Sequence, residues 1–202
     1  MVKKSHWLYR NYDIIESLIL PNSSVLDLGC GTGDFLKLLK QKRNIHCQGV
    51  EIDETKIVQC IKNCIPVIQG DLDDGLRAFQ SNSFDYVLLN QTLQMVKKPE
   101  LVLSEMLRVG RKAIVGFPNF GHYKIRWHLL KMGTMPVTQD LSFDWFDSPN
   151  IHLLTIKDFR NYCKSKNYKI LDEFFLMREK ANSIIHLAPN FLATEAVFLL
   201  ER

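Results

Sequence analysis

Residues 23–39, SSVLDLGCGTGDFLKLL, constrain this chain more than any other stretch. An apolar run with Val25, Leu26 and Leu28 meets Gly29, Gly31 and Gly33, and Phe35, Leu36, Leu38 and Leu39 follow at helical spacing. A strand, a tight glycine turn and a helix, in that order, open a nucleotide-binding α/β unit. Which nucleotide the turn holds, and whether chemistry follows, must be read from the residues around it.

The same alternation continues along the chain. A leading helix over 8–19 stops before Pro21. Strands are expected over 24–29, 46–52 (HCQGVEI), 66–70 (PVIQG), 84–90 (FDYVLLN) and 112–118 (KAIVGFP), with helices over 33–42, 54–64, 73–79 and 99–108. Strands alternating with helices imply a three-layer, Rossmann-like α/β fold with a mainly parallel sheet and right-handed crossovers. TIKDFRNYCKSKN reads as a helix whose start is capped by Thr155 and Asp158. Two extended runs, YKILDEFFLMRE and ATEAVFLLE, then sit close enough to pair antiparallel, for about seven strands in all.

Between about 118 and 152 the rhythm fails. Pro118, Pro136 and Pro149 punctuate an aromatic-rich stretch in which only HYKIRWHLLKMG, closed by Gly133, reads as helix. Stretches of that length inside a compact domain are usually functional, and this one is expected to be a lid or insertion. The 202 residues otherwise carry no repeat or linker and are expected to form a single domain, 1–202.

Composition narrows the function. A net charge of +4 is too mild to argue for nucleic acid, and no apolar run approaches a membrane span. The five cysteines form no C-x-x-C pair, and with no signal-peptide pattern a reducing cytoplasm is expected. Cys60 and Cys64 lie at i, i+4 of an expected helix; with no nearby ligand to complete a set, they read as two small buried residues and no metal is expected.

The glycine spacing decides between cofactors. A dinucleotide fingerprint is G-x-G-x-x-G, but Asp34 stands where its third glycine would be. A carboxylate about 5 Å from a pyrophosphate costs about 3 kcal/mol per charge pair at an effective dielectric of ~20. The acids near the strand ends (Asp27, Glu51, Asp71) suit a ligand that is cationic and lacks phosphate. S-adenosylmethionine, with its sulfonium, ammonium, ribose diol and adenine, is such a ligand.

The turn VLDLGCGTG, the strand-2 acid Glu51 that follows Gly29 by 22 residues, and Asp71 after strand 3 together resemble the class I S-adenosylmethionine-dependent methyltransferases over about residues 24–117. That resemblance implies a cofactor site of Asp27, Gly29, Cys30, Gly31, Gly33, Glu51, Ile52, Asp71, Leu72 and Asn90. The glycine loop would pass close to the methionine part, with Asp27 orienting that loop or the ammonium. Glu51 would accept both ribose hydroxyl protons, and Asp71 and the Leu72 N–H would meet the adenine. S-adenosylhomocysteine would be the product or the bound form. The Asn/Asp-Pro-Pro-aromatic run that many amino-group methylases carry after strand 4 is absent; this chain has NQTL, which weakens nucleic-acid methylation.

Candidate bases fall in the late segment: His122 and His152 as weak catalytic candidates, with Tyr123, His128 and Asp147 beside them. His128 reads as a packed or surface residue and Asp147, before Ser148-Pro149, as a turn former. Trp127, Phe143, Trp145 and Phe146 fit an acceptor pocket, the core, or an anchor for another protein.

FPNFGHYKIRWHLLKMGTMPVT and WFDSPNIHLLTIKDF, with GVEID and QGDLDDGL, are similar to the MetW family of methionine-biosynthesis proteins over nearly the whole chain. That resemblance implies association with a homoserine O-acyltransferase of the MetX type. Two functions follow: an S-adenosylmethionine-binding protein that supports or activates that acyltransferase, or a methyltransferase acting on a small molecule. On the first reading, Trp127, Trp145 and Phe146 are offered to the partner.

Overall fold

A computed structural model describes residues 6–137, 143–177 and 183–202. The elements are α1 (His6–Leu18), β1 (Ser24–Leu28), α2 (Asp34–Arg43), β2 (His46–Glu51), α3 (Glu54–Lys62), β3 (Val67–Gln69), β4 (Phe84–Asn90), α4 (Pro99–Val109), β5 (Gly110–Pro118), α5 (Tyr123–Met132), α6 (Ile156–Ser165), β6 (Lys169–Leu176), α7 (Pro189–Leu192) and β7 (Glu195–Glu201).

One sheet takes all seven strands in the order β3-β2-β1-β4-β5-β7-β6. β1 to β5 pair in parallel, and β7 runs antiparallel between β5 and β6. The apolar runs of β1 and β4 are continuous because both faces of the sheet are covered. Val87 and Leu89 pack with Met106 of α4 and Phe159 of α6 on one face, while Tyr86 and Leu88 pack with Ile15 of α1 and Leu36 of α2 on the other. Each large side chain so buried contributes about 1.5–3 kcal/mol. β1 lies between β2 and β4, so chain order reverses there and a crevice opens beyond its carboxyl end.

Two local expectations need correction, and one stretch without an expectation proves to be structured. The helix expected over 73–79 is a single 3₁₀ turn, Leu72–Asp74, because Gly75 leaves helical space with φ of 81°. Cys64 lies beyond the end of α3, at φ of 57°, and is exposed; only Cys60 is buried. Between the two extended runs, where no element was expected, residues 183–192 hold a 3₁₀ turn and α7. The end of the first of those runs, 178–179, lies outside the described residues. α6 begins with the full capping box: Thr155 accepts from the Asp158 N–H, and the Asp158 side chain accepts from Thr155.

Candidate functional site

The turn after β1 is a loop of alternating left-handed glycines: Gly29, Gly31 and Gly33 have φ of 71°, 59° and 73°. Left-handed backbone costs other residues about 1–2 kcal/mol each, which explains the spacing. A Cβ on Gly31 would meet nothing within 4 Å, so the loop backbone borders open space at that point. The loop is fastened from behind. The Gly29 and Cys30 N–H groups donate to the Val50 carbonyl at 2.8 and 3.1 Å, and Cys60 Sγ donates to the Gly31 carbonyl at 3.1 Å.

Glu51, at the end of β2, joins this loop to the next one. Its Oε2 accepts from the Gly31 N–H at 2.8 Å, and its Oε1 accepts from the N–H groups of Ile52 and Asp53 at 2.9 and 3.1 Å. The side chain is 5% exposed. A carboxylate has about four lone-pair sites, so room remains for about one further donor unless a backbone bond is exchanged.

These loops form one wall of a cleft of about 500 Å³. Gly29, Gly31, Val50, Glu51, Ile52 and Lys56 line one side, Gly70 to Asp73 the floor, and Asn90 to Thr92 with Met95 to Lys97 the other. Its volume suits a nucleoside-sized ligand. Ile52 and Met95, 60% and 44% exposed, bring apolar surface to the cleft.

Asp27 stands behind the loop, 5% exposed. Burial, and then the nearby charge of Glu51, push its carboxyl up to about 7. Asp71 is exposed and caps the 3₁₀ turn by accepting from the Asp73 N–H at 2.9 Å. Asn90 ends β4, and its buried Oδ1 meets no hydrogen-bond partner among the described residues.

Of the residues the resemblance implied, Gly29, Gly31, Glu51, Ile52, Asp71, Leu72 and Asn90 line the cleft. Gly33 is buried behind it, and the Cys30 side chain packs 3.8 Å from Cys60 Sγ with its thiol pushed up by burial. Asp34 lies exposed at the start of α2, its carboxylate accepting from Thr32 and Asn63.

None of the described residues of 118–152 lines the cleft, and 138–142 of the expected lid lie outside the described residues. His122 is buried at the start of α5 with its ring against Tyr123. His152 reaches the site's edge: its N–H and that of Ile151 donate to the Gln94 carbonyl at 3.0 and 2.9 Å. His128 pairs with Thr134, and Asp147 closes a turn on Asp144. Trp127, Phe143, Trp145 and Phe146 are exposed and do not complete the core.

Sequence reasoning missed Lys56, Gln91, Thr92, Met95 and Lys97. Four of them sit just past β4, where the sequence signals only Asn90 and the absence of the proline motif. It also missed a buried polar group beside Asn90: Glu195 Oε2 accepts from Asn11 at 3.0 Å and from Gln91 at 3.0 Å. Its members are too far apart in sequence for any local pattern to join them.

With this geometry in hand, relatives can be weighed. The family described as methionine biosynthesis protein MetW matches residues 9–200. A bifunctional methionine biosynthesis protein MetXA/MetW of Rhodopirellula baltica is 37% identical over 198 residues, which is 93% of this chain and 32% of that protein. The chain thus spans about a third of that relative. Among solved structures, an S-adenosylmethionine-dependent methyltransferase from Archaeoglobus fulgidus is similar with a TM-score of 0.66 at 14% identity, over 98% of this chain and all of that one. Another from Mesorhizobium loti gives 0.68 at 14% identity, over 94% and 96% of the two chains. The [4+2]-cyclase SpnF gives 0.67 at 13% identity, over 98% and 84%. At these identities the likeness is one of fold, and SpnF carries that fold for a reaction named as a cyclisation.

Proposed function

This chain belongs to the methionine biosynthesis protein MetW family, and on that premise we propose that it binds S-adenosylmethionine in the cleft and supports a homoserine O-acyltransferase of the MetX type. The observation that carries the cofactor reading is the pairing of Gly31 with Glu51. An open-faced glycine loop is locked by the carboxylate that borders the same cleft. The residues fit the ligand. Glu51 retains capacity for a ribose hydroxyl, and Ile52 and Met95 flank the place for adenine. Asp27 and Glu51 suit a cation, while Asp34 at the head of α2 opposes a pyrophosphate.

When bound, the cofactor supplies an activated methyl group on a sulfonium. The chain's own contribution is to orient: the glycine loop and Glu51 fix one side, and the β4 end the other. The partner reading is supported by the Rhodopirellula baltica protein, in which both names belong to one polypeptide. S-adenosylmethionine lies downstream of methionine, so its binding here would report supply to the enzyme upstream, through a coupling of about 1–3 kcal/mol.

One observation favours the second reading, methyl transfer to a small molecule. Gln94 Oε1 and His152 Nε2 are both buried without a hydrogen-bond partner among the described residues, on segments that the Ile151 and His152 N–H bonds to the Gln94 carbonyl join just beyond β4. Reconstitution with the acyltransferase of the same organism, scoring acyl transfer and labelled-methyl release in parallel, separates the two. Acyl transfer that rises on adding this chain, and responds to S-adenosylmethionine, supports the first reading. Labelled-methyl release without effect on acyl transfer supports the second.

A further inference from the structure

The excursion between β5 and α6 leaves much apolar surface in solvent. At 3.6 residues per turn, Ile125, Leu129 and Met132 share a sector of about 60° on α5, and Tyr123, Trp127 and Leu130 share the opposite one. On the first sector Ile125 is buried with Phe120 while Leu129 and Met132 are 40% and 60% exposed, so the helix is held to the body at its first turn. On the second, Trp127 is 65% and Leu130 79% exposed. A helix apolar on opposite sides is a helix meant to be covered on both. Further along, Trp145 and Phe146 are 80% and 70% exposed, their rings edge to face at 5.7 Å. Exposed apolar groups gathered in one segment mark an interaction surface, and tryptophan is prominent among residues that carry binding energy.

We propose that the outer face of α5, through Trp127 and Leu130, together with Trp145 and Phe146, is the surface on which this chain docks the homoserine O-acyltransferase. This rests on the reading that such an enzyme is its partner. The fused relative argues for that occupant: both names belong to one polypeptide there, which holds the two units at a high effective concentration of each other, and an exposed apolar face is where such units make contact. Lys124 and Lys131 are exposed on the same helix and supply charge for steering at the rim. None of the docking residues lines the cleft, so substituting them leaves the cleft's own residues intact.

The test uses the full chain and the acyltransferase of the same organism, with binding followed by calorimetry. Two double variants, Trp127→Ala with Leu130→Ser and Trp145→Ala with Phe146→Ala, should each bind the acyltransferase at least tenfold more weakly. Melting temperature and S-adenosylhomocysteine binding should stay as in the unaltered chain. Undiminished docking by both folded variants overturns the proposed surface. If the unaltered chain fails to bind the acyltransferase, the partner reading falls and takes the surface with it. Should a variant melt early, hydrogen exchange on the unaltered complex decides: protection at 123–132 and 143–147 upholds the surface, and protection only elsewhere overturns it. A homodimer of the unaltered chain that the substitutions split would assign the surface to a second copy and overturn the proposal.

Discussion

Two carboxylates carry most of the site's character. Asp27 titrates near 7 in the fold against 3.8 for a free side chain, chiefly because burial penalises its charge. The folded chain therefore holds a proton that the unfolded chain has released between about pH 4 and 7. Stability falls as pH rises through that window and is level above it. Asp27→Asn should raise the melting temperature at pH 8 and do so much less at pH 5. A bound cation would favour the charged carboxylate, so S-adenosylmethionine binding near pH 7 should release part of a proton, read as a heat that varies with buffer ionisation enthalpy. Equal heats in all buffers would disconnect Asp27 from the ligand. Glu51→Ala removes the acceptor shared by the Gly31, Ile52 and Asp53 N–H groups. It should lower the melting temperature and weaken S-adenosylhomocysteine by a few kcal/mol at most, since hydrogen bonds to charged groups are worth about 1.5–3 kcal/mol each. A folded Glu51→Ala protein with unchanged affinity would remove Glu51 from the ribose.

Between residue and fold stand the floor of the cleft and the loop after β4, and the start and body of α4 hold the two together. Asp73 accepts from the N–H groups of Lys97 and Lys98, tying the floor to the helix start. Arg108 donates to the Leu76 and Phe79 carbonyls while Glu105 accepts from the Leu76 N–H. This clamp replaces the helix expected over 73–79. Nothing in the sequence of that stretch announces it, because its hydrogen bonds go to a helix some thirty positions away. Arg108→Ala should therefore speed hydrogen exchange over 72–79 and weaken the cofactor several-fold, leaving β1 and β4 as protected as before. Unchanged exchange over 72–79 would show that the clamp does not hold the floor. The strands, by contrast, were legible, since their apolar runs are local signals. So was the start of α6, where Thr155 and Asp158 lie three positions apart. The Asn11–Glu195–Gln91 group was not, because only the antiparallel pairing of β7 with β5 brings Glu195 to the strand ends.

At the scale of the whole molecule, the glycine loop at the β1 switch point is the feature from which the rest follows: it demanded a parallel sheet, and the sheet opened its crevice there. The aromatic residues of 118–152 stand out in the sequence and suit a partner, but core and surface were equally open to them there, for exposure depends on what the rest of the fold leaves uncovered. No helix among the described residues is long and apolar enough to cross a membrane. The claim on which the functional reading turns is that the cleft takes S-adenosylmethionine. Titration of S-adenosylhomocysteine into the chain, beside NAD and beside Gly31→Val, tests it most directly. A side chain at Gly31 would enter the open space at the loop and strain its left-handed backbone. The expected result is one saturable site for S-adenosylhomocysteine, none for NAD, and loss of the site in a folded Gly31→Val protein. No binding of S-adenosylhomocysteine by the unaltered chain, or undiminished binding by Gly31→Val, would contradict it.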